Sequence, residues 1–300
     1  MRAVNQPVSW WGWHWSPPVP LSIIEVIDRG SMSPRLAALF WLGLERGASL
    51  MIAADAPTAG KTAILTALLA FTPAQSVAYF TRGLGESFDL PPLNDSYPTY
   101  ILVNEMTDHL PVYTWGQYAR RTFELLAQGY SLGTTTHADT VAGVLDILEN
   151  DLRIPRHHIA HLTFVATIYL GYHNGRALRR MNEVAFLQPD GAAASGLRLS
   201  TIATWDPQDD SFRVLESPEH VAVLAAWAGM PAEALLAELA QREEFLERLQ
   251  REGVRDLRAV QEAVFAYQQG ITQEERPPHP ASGRSRGRPA SRRRPSAPGR

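Results

Sequence analysis

The sequence predicts an α/β fold on a largely parallel sheet, with a small β-hairpin and a helical appendage towards the C-terminus. Three observations carry this. Short apolar runs alternate with segments of helical periodicity between residues 50 and 170. One such run passes through a loop containing Gly60-Lys61-Thr62 directly into a helical segment. The chain of 300 residues is 45% hydrophobic and 20% charged, which is enough apolar material for a sizeable core.

The elements follow in chain order. Trp10, Trp11, Trp13 and Trp15, followed by Pro17, Pro18 and Pro20, forbid a continuous helix and mark residues 1–20 as an extended arm. The indoles either pack on the domain or a neighbouring subunit, or stack on a nucleotide base. From Leu21, the residues Ile23, Ile24 and Ile27 share one helical face, and Gly30 ends that helix. Ser33-Pro34 opens a second helix through Trp41 and Leu44, which Gly47 closes. Leu50–Ala54 reads as a buried strand and Ala63–Phe71 as a packed helix. Then come a strand over Tyr100–Val103, a helix over Tyr113–Gln128, a strand over Leu132–Thr136, a helix over Val141–Leu152 and a strand over Leu162–Leu170. Arg198–Thr204 and Phe212–Leu215 form a hairpin about Asp206-Pro207. Residues 218–268 repeat leucine, valine and phenylalanine at helical spacing, with a break at Gly253. The expected organisation is therefore an arm (1–20), a core (21–190), a hairpin with a helical subdomain (191–270) and a tail (271–300).

Composition narrows the chemistry. With no cysteine, disulfide and thiolate sites are excluded. Leu36–Leu44 and Ala63–Phe71, the longest apolar candidates, are far shorter than the roughly 20 residues of a membrane span, so a cytoplasmic protein with at most peripheral membrane association is expected. The tail holds eight arginines against Glu274 and Glu275 and has almost nothing to bury, which reads as disordered. It serves solubility or binds nucleic acid or an acidic surface, and the acidic excess of the body argues against a nucleic-acid partner. His157, His158 and His161 lack an accompanying carboxylate or thiol framework and read as a solvated loop rather than a metal site.

Asp55-Ala56-Pro57-Thr58-Ala59-Gly60-Lys61-Thr62 fits the phosphate-loop pattern G-x-x-x-x-G-K-[ST], except that Asp55 stands at the first glycine. Successive N–H groups of Thr58, Ala59, Gly60, Lys61, Thr62 and Ala63, at a helix N-terminus, suit a polyphosphate. Lys61 neutralises β/γ oxygens, and the Thr62 hydroxyl ligates Mg²⁺. Lys61 is the only lysine in the chain, the other cationic side chains being arginine, so a compact ammonium stands where such a loop requires one. Asp55 is expected just outside the cradle. Glu105, at the tip of an apolar strand, is placed to hold Mg²⁺ or the attacking water. His137, at the tip of the next strand, is placed to sense a γ-phosphate, and Asp139 with Thr140 can cap the helix that follows.

In this order the motifs resemble the type II/type IV secretion and pilus-assembly ATPases, most of all the archaeal flagellar and tight-adherence pilus branch. The resemblance runs through Ile27–Pro34 and Ala37–Leu42, then Pro57–Thr62 with Leu65–Leu69. It continues through Tyr100–Glu105 as a Walker B segment and Thr136–Asp139 as a histidine box, and Phe245–Tyr267 is similar to that branch's helical end. It implies a RecA-like core, ATP with Mg²⁺, and catalytic roles for Glu105 and His137. It further implies a homo-oligomeric ring, usually a hexamer, or a paralogous ATPase partner, and a polytopic membrane platform protein. The stretch matching the family's acidic box, Val77–Gly83, has no carboxylate, and Glu86 is the nearest substitute. Arg82, Arg120 and Arg121 are the candidates to replace the arginines that the family's N-terminal domain donates.

Overall fold

A computed structural model of the chain describes residues 1–5, 20–173, 175–191 and 196–270; the tryptophan cluster and the arginine-rich tail lie outside the described residues. Residues Arg2–Val4 (β1), read as the start of the arm, pair in parallel with Val77–Phe80 (β3) at the sheet edge. Helices α1 (Ile23–Asp28) and α2 (Pro34–Glu45) start where the sequence places them. Ser22 and Glu25 form a reciprocal capping box on α1, and Ser33 caps α2 with Pro34 in its first turn. Strand β2 (Leu50–Ala53) leads through the phosphate-loop segment into α3 (Lys61–Leu68), which tightens into a 3₁₀ turn over Leu69–Phe71.

Strands β4 (Thr99–Leu102), β5 (Ser131–Thr136) and β6 (Phe164–His173) alternate with α4 (Gly116–Leu126), α5 (Val141–Asp146, continued by a π-turn through Asp151) and α6 (Arg156–Ile159). Strands β7 (Arg176–Pro189), β8 (Leu197–Asp206) and β9 (Ser211–Val214) follow, then α7 (Pro218–Ala228), α8 (Ala232–Arg251) and α9 (Leu257–Gln268). The sheet order among the described residues is β1-β3-β4-β5-β2-β6-β7-β8-β9. Pairing is parallel from β1 to β6 and antiparallel from there to β9, so the fold is mixed α/β with a mostly parallel main body. The expected hairpin, β8–β9, is present, and it continues the same sheet through β7, a long strand outside the sequence expectation.

This order decides which helix covers which face. The connection from β2 to β3 runs towards one edge, whereas β3 to β4, β4 to β5 and β5 to β6 run back the other way. Right-handed crossovers therefore put α3 on one face and α4 and α5 on the other. The cores agree: Leu50 and Ile52 of β2 pack with α1, α2 and α3, while Met51 and Ala53 pack with Phe123 of α4 and Val144 of α5.

Helix α2 is buried on every side from Leu36 to Leu44 because a second layer covers it. Trp41 stacks on Phe71 (5.0 Å between ring centroids, 4° between planes) and meets Phe245 of α8 and Tyr267 of α9 at 5.4 and 4.9 Å. Leu235, Leu239, Leu246 and Val260 belong to this cluster, so the helices expected as an appendage share the core of the sheet domain.

Gly43 is a packing glycine. A β-carbon there would lie 2.4 Å from Cε2 of Phe164 on β6, so its absence lets α2 lie against the sheet. Helix propensity alone says that Gly43→Ala stabilises by about 0.5–1 kcal/mol. Overpacking against a fully buried ring reverses the sign, and we expect a net loss of about 1–3 kcal/mol in chemical denaturation. A stabilised Gly43→Ala protein would show that α2 and β6 are not in this contact.

Candidate functional site

The reversal of crossover direction leaves the carboxyl ends of β2 and β5 flanked by helices on opposite faces, the kind of crevice in which open α/β sheets bind ligands. All the motif residues meet there. Gly60 caps α3 with φ of +91° and ψ of 19°, a left-handed conformation that costs a side-chain-bearing residue energy and glycine very little. Ala59 is buried behind it, Thr58 is exposed, and Thr62 and Ala63 are half-buried in the first turn of α3. The N–H of Ala59 donates to the carbonyl of Ala56 at 3.1 Å and closes the turn.

Lys61 is 4% exposed. Its ammonium donates to the Ala54 carbonyl at 2.9 Å and lies 3.3 and 3.4 Å from Nδ1 and Nε2 of His137. Near-equal distances to both nitrogens set the ammonium over the ring rather than on one lone pair. Burial pulls the Lys61 pKa below the ordinary lysine value, while the carboxylates of Glu105, Asp55 and Asp139 push it back up.

His137 stands just beyond β5 with both nitrogens facing oxygen acceptors. Nδ1 is 2.8 Å from the Asp55 carbonyl, and Nε2 is 2.8 Å from Oε1 of Glu105. A neutral imidazole can donate to only one of the two. Glu105 owes its position to the threonine run on the neighbouring strand. The Thr135 hydroxyl donates to the Asn104 carbonyl at 3.0 Å and that of Thr136 to the Met106 carbonyl at 3.1 Å, with the Met106 N–H returning to the Thr135 carbonyl at 2.8 Å. These bonds bracket Glu105 and hold the continuation of β4 beside β5.

Asp55 does not need to be glycine. It is not among the described positive-φ residues, its side chain is exposed, and its backbone is used in both directions. Its carbonyl faces His137, and its N–H donates to Oδ1 of Asp139 at 2.9 Å. Asp139 thus ties down the phosphate loop, and Thr140 alone caps α5, through the Gly143 N–H at 3.0 Å.

Two expectations are redirected by the structure. Glu86 is buried, and its carboxylate accepts from the Tyr79 hydroxyl (2.6 Å) and from the N–H groups of Arg82 (2.6 Å) and Phe88 (2.7 Å). It is a clamp for the turn after β3, committed to structural donors rather than free to replace an acidic box. Burial and this carboxylate push the Tyr79 pKa up to about 12. The three candidate arginines are also engaged elsewhere: Arg82 with Asn5, Arg120 with the Leu152 carbonyl and Arg121 with Glu124. The arginine that reaches the loop is Arg179 of β7, which donates from Nε and Nη2 to the Thr58 carbonyl at 3.2 and 3.0 Å, with Cδ 3.6 Å from where a β-carbon on Gly60 would lie. No sequence pattern marks it, because β7 and the loop meet only through the sheet.

The fold and this junction together define a phosphate-loop α/β architecture. No family model matches the chain. By sequence it is similar to the uncharacterized protein MJ1287 of Methanocaldococcus jannaschii, 24% identical over 252 residues that cover 75% of this chain and 90% of that protein. It is also similar to the uncharacterized protein MJ0900 of the same organism, 27% identical over 218 residues that cover 64% of this chain and 38% of that one. Similar solved structures include the VirB11 ATPase of the Brucella suis type IV secretion system, crystallised with sulphate, at 18% identity, TM-score 0.39 and 55% coverage of each chain. The Legionella pneumophila ATPase DotB aligns at 13% identity, TM-score 0.32, over 56% of this chain and 49% of its own. The chain spans about half the length of these two ATPases.

Two outcomes follow from the site's construction. Arg179→Ala is expected to raise amide hydrogen exchange across residues 56–60 while costing under about 1 kcal/mol of global stability, because the guanidinium is solvent-accessible and tethers a loop rather than the core. Glu86→Ala is expected to cost about 1–3 kcal/mol, since it orphans two backbone donors and a buried hydroxyl, as read from the denaturation midpoint. An unshifted midpoint would refute the clamp.

Proposed function

We propose that the chain is an ATP-binding protein of the secretion and pilus-assembly ATPase type, coupling nucleotide binding and hydrolysis to movement between subunits. The observation that carries this reading is the convergence of three strand ends on one buried lysine: Lys61 after β2, Glu105 after β4 and His137 after β5, joined by contacts of 2.8 to 3.4 Å. A polyphosphate offers the buried ammonium an anion in direct contact, at the N-terminus of α3, where the first N–H groups of a helix have no partner within it.

Each residue then has a part. Lys61 moves from the Ala54 carbonyl to phosphate oxygens. The Thr62 hydroxyl and the Glu105 carboxylate are hard oxygen donors of the kind Mg²⁺ takes, and they would hold that ion beside the nucleotide. When bound, Mg²⁺ neutralises phosphate charge. Glu105, already bonded to His137, orients water, and His137 reports the presence of a γ-phosphate by exchanging its contact with Glu105 or Asp55. Arg179 supplies a cation at the loop from within the same chain. A ring oligomer or a paralogous ATPase, a membrane platform protein and a cytoplasmic location belong to the same proposal.

The engagement of Glu86 by three donors favours a second reading: a nucleotide-binding regulatory or scaffold subunit with little or no hydrolysis. ATP affinity and steady-state hydrolysis of the purified chain, with Lys61→Ala and Glu105→Gln, separate the two. We expect Lys61→Ala to weaken ATP binding at least tenfold and Glu105→Gln to retain binding while losing any turnover. Binding without Glu105-dependent hydrolysis leaves the regulatory reading, and no binding at all removes both. Mass in solution with and without nucleotide tests the ring.

A further inference from the structure

Beside the phosphate loop stands a set of side chains that the nucleotide reading does not use in full. Glu105, His109 and His137 each offer one ligand atom, and the three atoms lie within 4.8 Å of one another. We propose that these residues form a site for a borderline divalent transition ion of the zinc(II) or cobalt(II) kind, filled in the nucleotide-free protein and sharing Glu105 and His137 with the nucleotide reading.

The donor set argues for this class of ion. Two imidazole nitrogens with one carboxylate oxygen suit zinc or cobalt, whereas magnesium requires oxygen donors throughout. The geometry needs only local adjustment. Nε2 of His137 and Oε1 of Glu105 already face each other at 2.8 Å, so the ion takes the place of the proton between them. Donors about 2.0–2.2 Å from a tetrahedral ion stand roughly 3.3–3.5 Å apart, so this pair opens slightly and His109 closes in. His109 is exposed, on the loop between β4 and α4, and can swing at little cost. Its ring is tilted 57° to that of His137 at 5.6 Å between centroids, so the two are not locked in a stack.

The site also answers the question His137 poses. With Nδ1–H donating to the Asp55 carbonyl at 2.8 Å, a neutral ring has its Nε2 lone pair directed at Glu105, the tautomer and orientation that a metal ligand requires. A bound ion satisfies both nitrogens of a neutral ring, which a hydrogen bond to each oxygen cannot. The Lys61 ammonium is the opposing charge, and the Glu105, Asp55 and Asp139 carboxylates offset it electrostatically. Three protein ligands leave a fourth position for water or an oxygen of a neighbouring ligand. Among the described residues no other group of three converges in this way, His157, His158 and His161 included.

Cobalt(II) titration of the untagged, chelator-stripped, nucleotide-free protein tests the site. The expected result is one ion per chain with the visible d–d bands of low-coordinate cobalt, displaced by zinc. His109→Ala should weaken cobalt binding at least tenfold and leave the fold unchanged, since His109 is exposed. His157→Ala and His161→Ala should bind cobalt as the parent does. Lys61→Ala should keep the cobalt site while losing ATP, so loss of nucleotide binding and loss of the metal are read separately. Absence of stoichiometric binding, indifference to His109→Ala, dependence on His157 or His161, or dependence on Lys61 would each overturn the proposal.

Discussion

Lys61 carries a positive charge into the interior at the end of β2, and a buried ammonium is tolerated only where something replaces its lost hydration. The Ala54 carbonyl provides a direct acceptor, and the Glu105, Asp55 and Asp139 carboxylates provide negative potential. These groups come from three separate segments, so the charge can be compensated only if all three segments are placed correctly. That requirement explains the density of backbone anchoring nearby. Thr135 and Thr136 pin the segment that bears Glu105, Asp139 holds the N–H of Asp55, and His137 lies under the ammonium with its nitrogens on Asp55 and Glu105. The phosphate loop, the end of β4 and the β5–α5 turn are one electrostatic unit.

Topology makes that unit possible. Because β5 lies between β4 and β2, a carboxylate after β4 and a histidine after β5 reach the loop after β2 in one line across the sheet. The same arrangement places α3 on the face shared with α2, α8 and α9, so the helix that begins at Lys61 is packed into the larger of the two core clusters among the described residues. Displacing α3 would be felt there, since close-packed interiors transmit small shifts rather than absorbing them. On the other side of β2, the antiparallel extension through β6 and β7 brings Arg179 onto the loop.

Strands β2, β4, β5 and β6, the paired N-terminal helices and the helical stretch over residues 218–268 with its break at Gly253 were legible because each has a local signature. Those signatures are an apolar run of strand length, a Ser cap before an apolar face, or leucines at helical spacing. Strand β7 was not legible: its first half, including Arg176, Arg179 and Arg180, pairs with β6 beyond the core and so lacks apolar alternation. A signal for it does exist in the sequence, since Asn174-Gly175 is the commonest chemistry of a two-residue hairpin. Strand β3 has the same four-residue apolar run as β2 and β4 but is not among the strands expected from the sequence, and β1 is three residues, too short for any pattern to show.

The sequence by itself determined the phosphate loop, its lysine, and the identity of Glu105 and His137 as strand-end polar groups, because each lies at a local transition from apolar strand to loop. Only the tertiary structure decided their company. It showed that Asp55 serves through its backbone, that Glu86 is spent on three structural donors, that Arg179 rather than Arg82, Arg120 or Arg121 reaches the loop, and that His109 joins Glu105 and His137. Those relations depend on which strands lie side by side and on where buried donors find acceptors. Sheet order and long-range hydrogen bonds are properties of the folded chain as a whole, and no window of neighbouring residues contains them.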